Sequence, residues 1–260
     1  MESVDLFFEE AGQGVPVMLL HGYPLNHSIW HPLIPLLEHE AHLIMPDLRG
    51  HGRSPVPDGV YNMHCMAEDV LLLLDRLGMQ KVVLTGHSMG GYVALNFARA
   101  YPERLAGLAL LASHCFADER ERAENRIATA QKVEESGNID FIAEGMLPSL
   151  TTDLLIQNRI RELMLSTNPK GISGILRGMA DRESMCATLS TIDKPVLFLA
   201  GGEDKLISLD RVKEMASLMK NPWIEIILGA GHLPMLEKPK ETSKALLSLI
   251  QKVQQEDLIN

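Results

Sequence analysis

The stretch VVLTGHSMGGYVAL, residues 82–95, decides how the chain is read. An apolar run stops at Gly-His-Ser-Met-Gly-Gly and resumes with helical spacing. Residues 86–90 match Gly-x-Ser-x-Gly, placed between a strand and a helix as that pattern requires. To project its hydroxyl above a sheet, Ser88 must sit in a tight turn with unusual backbone angles, at a cost of about 1–3 kcal/mol. Flanking side chains would clash in such a turn, which accounts for Gly86 and Gly90. Gly91 and Ala94 let the helix pack close behind the strand. The helix start also turns backbone N–H groups and a partial positive charge toward the serine. A bare glycine-rich connection is the competing reading, and the rest of the chain decides between the two.

Working outward, VPVMLLHG, HLIMPDLRGHG, KVVLTG, LAGLALLAS, KPVLFLAGGED and WIEIILGAGH read as apolar strands that run into loops. MHCMAEDVLLLLDRLG has helical periodicity and stops at Gly78; GGYVALNFARAYP is a helix stopped by Pro102. LDRVKEMASLMK and KPKETSKALLSLIQKVQQ have helical spacing too. Apolar strands alternating with amphipathic helices predict an α/β chain with a mostly parallel central sheet and helices on both faces. Residues 116–191 break the rhythm, with four helical stretches and no convincing strand. They are expected to form a helical cap inserted between two strands, with residues 1–115 and 192–260 as the core.

In open α/β sheets, ligands bind at the carboxyl ends of the strands. The residues there include Tyr23, Ser88, His114, Asp204 and His232. A serine is a weak nucleophile and needs a base, which in turn needs an orienting acid. Asp204 and His232 follow the last two strands, in the order Ser88, Asp204, His232. They are the expected catalytic residues. Acyl transfer also needs donors for the developing oxyanion. The backbone N–H of Met89 is one candidate. Pro24 has no N–H, so Tyr23 in LLHGYP is the other, through its backbone alone.

Composition narrows the function classes. The chain has 260 residues, 46% apolar and 22% charged, as in soluble globular proteins. A net charge of -10 disfavours nucleic-acid partners. The one dense charge run, FADERERAENR, mixes signs and reads as a solvated helix face. Three scattered cysteines, Cys65, Cys115 and Cys186, do not read as a disulfide framework. With no leader-like segment at its start and no spanning run, the chain is expected to be cytoplasmic and not inserted in a membrane. HEAH at 39–42 is one residue short of a two-histidine zinc helix, GHSMGG lacks the lysine of a phosphate loop, and GQG at 12–14 is no dinucleotide fingerprint. No metal and no cofactor are expected.

HGYPLNHSIW, DLRGHGRS, GHSMGGYVAL, GGEDKLI and GAGHLPMLEKP together resemble the α/β-hydrolase superfamily, in its small-cap branch of carboxylesterases and 3-oxoadipate enol-lactonase relatives. The resemblance covers nearly the whole chain and is weakest in residues 116–191. It implies an α/β-hydrolase fold and an ester-hydrolase triad that falls on Ser88, Asp204 and His232. Epoxide hydrolases and haloalkane dehalogenases share the scaffold but carry Asp at the nucleophile position. The expected function is cleavage of small carboxylic esters or lactones through an acyl-enzyme. Enol-lactonase or perhydrolase chemistry is the alternative among enzymes, and a non-catalytic small-ligand-binding module is the alternative outside them. Trp30, His114 and Met146 are expected in the substrate pocket. Arg182 is the candidate cation for a substrate carboxylate, with a structural salt bridge as its stronger reading. The sequence leaves monomer or homodimer open.

Overall fold

Six of the seven strands are the apolar runs of the sequence. In the computed structural model, which describes residues 2–259, they are β2 Val15–Leu20, β3 Ala41–Pro46, β4 Val82–His87, β5 Leu105–Leu111, β6 Val196–Gly201 and β7 Trp223–Ile227. Met1 and Asn260, the outermost positions of the expected core, lie outside the described residues. The seventh strand, β1 Phe8–Ala11, is absent from the sequence reading. The sheet order is β1-β3-β2-β4-β5-β6-β7, with β1 antiparallel to β3 and all other pairs parallel. All six residues of β4 and of β6 are buried. Because alternate residues point to opposite faces, burial of every position means that both faces are covered.

The helices are α1 Ile34–Leu37, α2 Met63–Arg76, α3 Met89–Ala100, α4 Arg120–Ser136, α5 Asp140–Leu150, α6 Leu154–Leu165, α7 Pro169–Ala180, α8 Cys186–Thr191, α9 Leu209–Ala216, α10 Pro234–Glu237 and α11 Pro239–Ile259. Local chemistry sets several of their ends. The Asn62 side chain accepts from Cys65 N–H at the start of α2, and Gly78, at φ +66°, follows its last turn. Asp153 and Asn168 cap α6 and α7 in the same way as Asn62 caps α2. Helix α3 packs on α2 and on β4, while α11 packs on β5, β6 and β7.

Five helices, α4 to α8, fill the chain between β5 and β6. They meet the loops that follow the parallel strands. Gly171 of α7 sits so close to Gly50 that a Cβ on it would lie 2.1 Å from the Gly50 carbonyl oxygen. Thr167 Oγ1 donates to Pro24 O at 3.3 Å, and His232 N–H donates to Leu150 O at 2.9 Å. The segment therefore lies across the carboxyl ends of the sheet. Among the described residues, no helix is long and apolar enough to cross a membrane.

Four histidines under this segment are held neutral. Burial lowers His21 to about 4, with its Nδ1–H donating to Gly22 O and its Nε2 accepting from Leu48 N–H. Burial lowers His51 to about 3 and His114 to about 3, and it holds His87 well below the ordinary value of 6.5. Unfolding restores the ordinary value, so between pH 6.5 and about 4 the unfolded chain binds protons that the folded chain does not. Stability then falls as pH falls, by about 1.4 kcal/mol per pH unit for each histidine inside that window. His27 opposes this in part: burial alone would lower it, but Asp47 and Glu9 raise it above its ordinary value. Urea unfolding should give a free energy several kcal/mol smaller at pH 5.5 than at pH 7.5. Equal values would mean that these rings are charged in the folded protein.

Candidate active site

Ser88 links β4 to α3 with φ +50° and ψ −113°, a conformation that side-chain-bearing residues rarely adopt. The surrounding backbone over-determines it. Ser88 N–H donates to Leu111 O at 2.9 Å, and Ser88 O accepts from Gly91 N–H at 2.9 Å and from Ser113 Oγ at 2.7 Å. A Cβ on Gly86 would lie 2.4 Å from Gly90 O, and one on Gly90 would lie 2.4 Å from Leu20 O. These are backbone neighbours that cannot step aside, so both positions need glycine for space. Residues on either side of Ser88 are buried, whereas Ser88 itself is half-buried and opens into a cavity.

His232 follows β7 and lines the same cavity. Its Nδ1–H donates to Asp204 Oδ2 at 2.8 Å, and both side chains are almost fully buried. Asp204 is fixed in turn, because its Oδ1 accepts from Leu206 N–H at 2.8 Å and from Ile207 N–H at 3.0 Å. The far nitrogen of the imidazole has no hydrogen-bond partner among the described residues. Two residues that sequence reasoning did not assign hold the His232 backbone. His87 Nε2–H donates to His232 O at 2.8 Å, which gives it a positioning role. Glu237 Oε2 accepts from Gly231 N–H at 2.8 Å and Leu233 N–H at 3.2 Å, on either side of the histidine. The EKP of GAGHLPMLEKP was the available signal for Glu237.

Tyr23 and Met89 both line the cavity. Neither backbone N–H has an acceptor among the described residues. The Tyr23 ring is also in the wall: it is 8% exposed, and its buried hydroxyl has no hydrogen-bond partner. Burial holds that phenol protonated well above its ordinary value, against the pull of Arg126.

The expected pocket residues separate. Met146 lines the cavity. Trp30 does not: it is fully buried, with its ring edge-on to His87 at 6.4 Å, because the chain from His27 to Leu33 coils into a short 3-10 helix that turns it inward. His114 lines a neighbouring cleft of about 450 Å³ instead, with Asp118 and Arg211. It packs on Tyr92, with its Nε2 3.2 Å from the phenol oxygen. Arg182 is the structural ion pair of its stronger reading. Its guanidinium grips Asp118 through two contacts, at 2.7 and 2.8 Å, and lies over the Tyr92 ring at 4.2 Å.

The cations at the cavity are Arg122 and Arg126, which the sequence reading assigned to a solvated face. Arg126 Nε donates to Asp118 Oδ2 at 2.6 Å, and Arg122 Nε is 3.3 Å from Asp118 Oδ1. Burial alone would raise the Asp118 carboxyl, but Arg182 and Arg126 reverse this and hold it low. One carboxylate thus faces three guanidinium groups, leaving the cluster net positive. The signal was the four-residue spacing of Asp118, Arg122 and Arg126, which puts them on one stripe. The Ser88 cavity holds about 50 Å³ and adjoins an outer chamber of about 370 Å³, which shares Tyr23, Arg122, Arg126 and Met146.

Metal-ligand spacing, which the sequence reading did not find, exists at His27 and His31. With Glu9 they bring three ligand atoms within 4.8 Å of one another. As they stand they make His–Glu ion pairs at 3.2 and 2.9 Å, and none of the three lines the Ser88 cavity.

A sheet of this order, with its serine turn after the third parallel strand and its helical segment across the strand ends, defines an α/β hydrolase. The family model of the alpha/beta hydrolase fold matches residues 15–239, and the chain belongs to that family. Among solved structures it is similar to a thermophilic esterase from Thermogutta terrifontis with malate bound, at 38% identity and a TM-score of 0.93, covering 96% of this chain and 94% of that one. It also resembles the enol-lactonase from Burkholderia xenovorans LB400 in fold, at 21% identity and a TM-score of 0.87, covering 95% and 97%. A sequence relative is the 2-(acetamidomethylene)succinate hydrolase of Mesorhizobium japonicum (strain LMG 29417 / CECT 9101 / MAFF 303099), 25% identical over 95% of this chain and 92% of that protein. Of two other curated relatives the chain spans 66% and 96% of their own length.

Asp118→Ala would leave Arg182, whose side chain is 2% exposed, buried without its carboxylate. The expected loss is about 3–5 kcal/mol, or roughly 10 °C in Tm. Removing the charge as well, in Asp118→Ala/Arg182→Met, should recover much of it. Differential scanning calorimetry decides this. A single variant as stable as wild type would show that the pair contributes nothing.

Proposed function

We propose that this α/β hydrolase cleaves small carboxylic esters or lactones through an acyl-enzyme on Ser88. One observation carries the reading: Ser88, held in a strained turn, opens into the same cavity as an imidazole whose other nitrogen is bound to a fixed carboxylate. Ser88 Oγ attacks the substrate carbonyl while His232 Nε2 takes its proton. Asp204 keeps the proton of the neutral ring on Nδ1 and stabilises the imidazolium. The N–H groups of Met89 and Tyr23 hold the oxyanion, and α3 adds its N-terminal partial charge. His232 then returns its proton to the departing alkoxide. Water, deprotonated by His232, attacks the acyl carbon; the bond from that carbon to Ser88 Oγ breaks and His232 returns the proton to Oγ. No cofactor enters this scheme.

The lining of the cavity supports a reading of the substrate class as well. Arg122 and Arg126 bring guanidinium donors to the wall of the cavity that Ser88 lines. Donors of this kind suit a second, negatively charged carboxylate, bound by charge-assisted hydrogen bonds. The malate in the related esterase and the succinate named in the related hydrolase are both carboxylates, which supports this reading. Half-esters of short dicarboxylic acids and carboxylated lactones are then the favoured substrates. The cytoplasm, with its reducing poise, fits the free cysteines and small polar substrates.

Ser88→Ala should lower ester turnover by about 10⁴-fold or more with the fold intact by circular dichroism. Activity within tenfold of wild type would end the acyl-enzyme mechanism. Arg126→Met should lower kcat/KM on monoethyl succinate by roughly 10–100-fold, the worth of one charge-assisted hydrogen bond, while ethyl butyrate changes by less than about threefold. Equal losses on both esters would remove the arginine from substrate recognition.

A further inference from the structure

Cys115 and Cys186 are 71 residues apart in sequence, yet their Sγ atoms lie 2.7 Å from each other. The contact is anchored in the backbone, since Met185 N–H donates to Cys115 O at 2.6 Å. Cys115 stands at the exit from β5 and Cys186 opens α8, so the pair brackets helices α4 to α7 at their base. Cys65, the third cysteine, is elsewhere, in α2, with its thiol directed to Asn62 O at 3.1 Å.

We propose that Cys115 and Cys186 are an oxidisable pair that forms a disulfide across the base of the helical segment. The two thiols differ in access: Cys115 is buried and Cys186 is half-buried. Burial and the neighbouring thiol hold Cys115 protonated. Cys186 is therefore the sulfur that an oxidant reaches, and a small hydroperoxide is the chemical class taken as oxidant. Cys186 sulfur takes one oxygen from hydrogen peroxide to become a sulfenic acid, and the first water leaves. Cys115 sulfur then attacks Cys186 sulfur. The S–S bond forms, the S–O bond breaks, and the hydroxide departs with the Cys115 proton as a second water. Two thiols are oxidised by two electrons in total and the peroxide is reduced to two waters.

The bond would close a long loop and so restrict the unfolded chain without asking the folded one to move far. It would also tie the two chain crossings that carry the segment over the cavity. The result is a segment fixed at its base, whatever the enzyme hydrolyses above it.

The test treats the whole protein with hydrogen peroxide, quenches it, alkylates free thiols under denaturing conditions and maps the peptides by mass spectrometry. The expected product is a Cys115–Cys186 linked peptide, one alkylated thiol at Cys65, and a Tm higher by about 5–10 °C that dithiothreitol reverses. Cys186→Ser should lose both the linked peptide and the gain in Tm, and Cys65→Ser should keep both. Three alkylated thiols after peroxide would overturn the proposal. So would a Cys186 sulfinic acid beside a free Cys115, because a resolving thiol in contact would have intercepted the sulfenic acid first.

Discussion

The structure depends on one crowded turn. Ser88 is held at φ +50°, in a conformation that a free chain would leave, by three hydrogen bonds shared with two segments, the end of β5 and the start of α3. Those bonds need β4, β5 and α3 at close quarters, and that closeness needs Gly86 and Gly90 without side chains. Ala112, just past β5, carries a second positive φ, at +48°, and places Ser113 where its hydroxyl caps the Ser88 carbonyl. Strain at two residues is thus supported by the burial of the central strands on both faces. The turn raises one hydroxyl to the edge of the sheet and leaves the first N–H groups of α3 beneath it.

Electrostatics around that turn follow a single pattern. The histidines beneath the helical segment are neutral because burial removes their water, and each has its ring placed by hydrogen bonds or ring packing. His232 alone among the cavity residues is an imidazole backed by a carboxylate. Above it, Asp118 gathers Arg122, Arg126 and Arg182, giving a locally positive roof on a chain whose net charge is -10. Such an inversion of sign over a cavity attracts anions more strongly than the net charge would suggest. The hydroxyl of Tyr23, buried and unpaired, adds a donor whose cost is offset only when something accepts from it.

Much of the fold was legible because its signals are local. Apolar runs that end in Gly, and helices that stop at Gly78 and Pro102, need no knowledge of the rest of the chain. Strand β1 escaped because Glu9 and Glu10 sit in an edge strand paired on one side only, where an apolar run is not needed. The Ser88, Asp204, His232 order could be read from strand ends, whereas the 2.8 Å contact between Asp204 and His232 is a tertiary fact. The mixed charge run faces water for most of its length, Arg122 included, as its composition suggests; Arg126 was misread because it turns under to Asp118. Trp30 was misread because the coil of His27–Leu33 has no clear periodicity, so the direction of its ring could not be inferred. The meeting of Cys115 with Cys186 has no sequence signature at all.

The central claim is that Ser88 is an activated nucleophile. The most direct measurement is to incubate the folded protein with a fluorophosphonate and locate the modified residue by mass spectrometry. The account predicts stoichiometric labelling at Ser88 that slows sharply in Asp204→Asn, where the imidazole loses its carboxylate. Labelling that is absent in the folded wild type, or that falls on another residue, would contradict it.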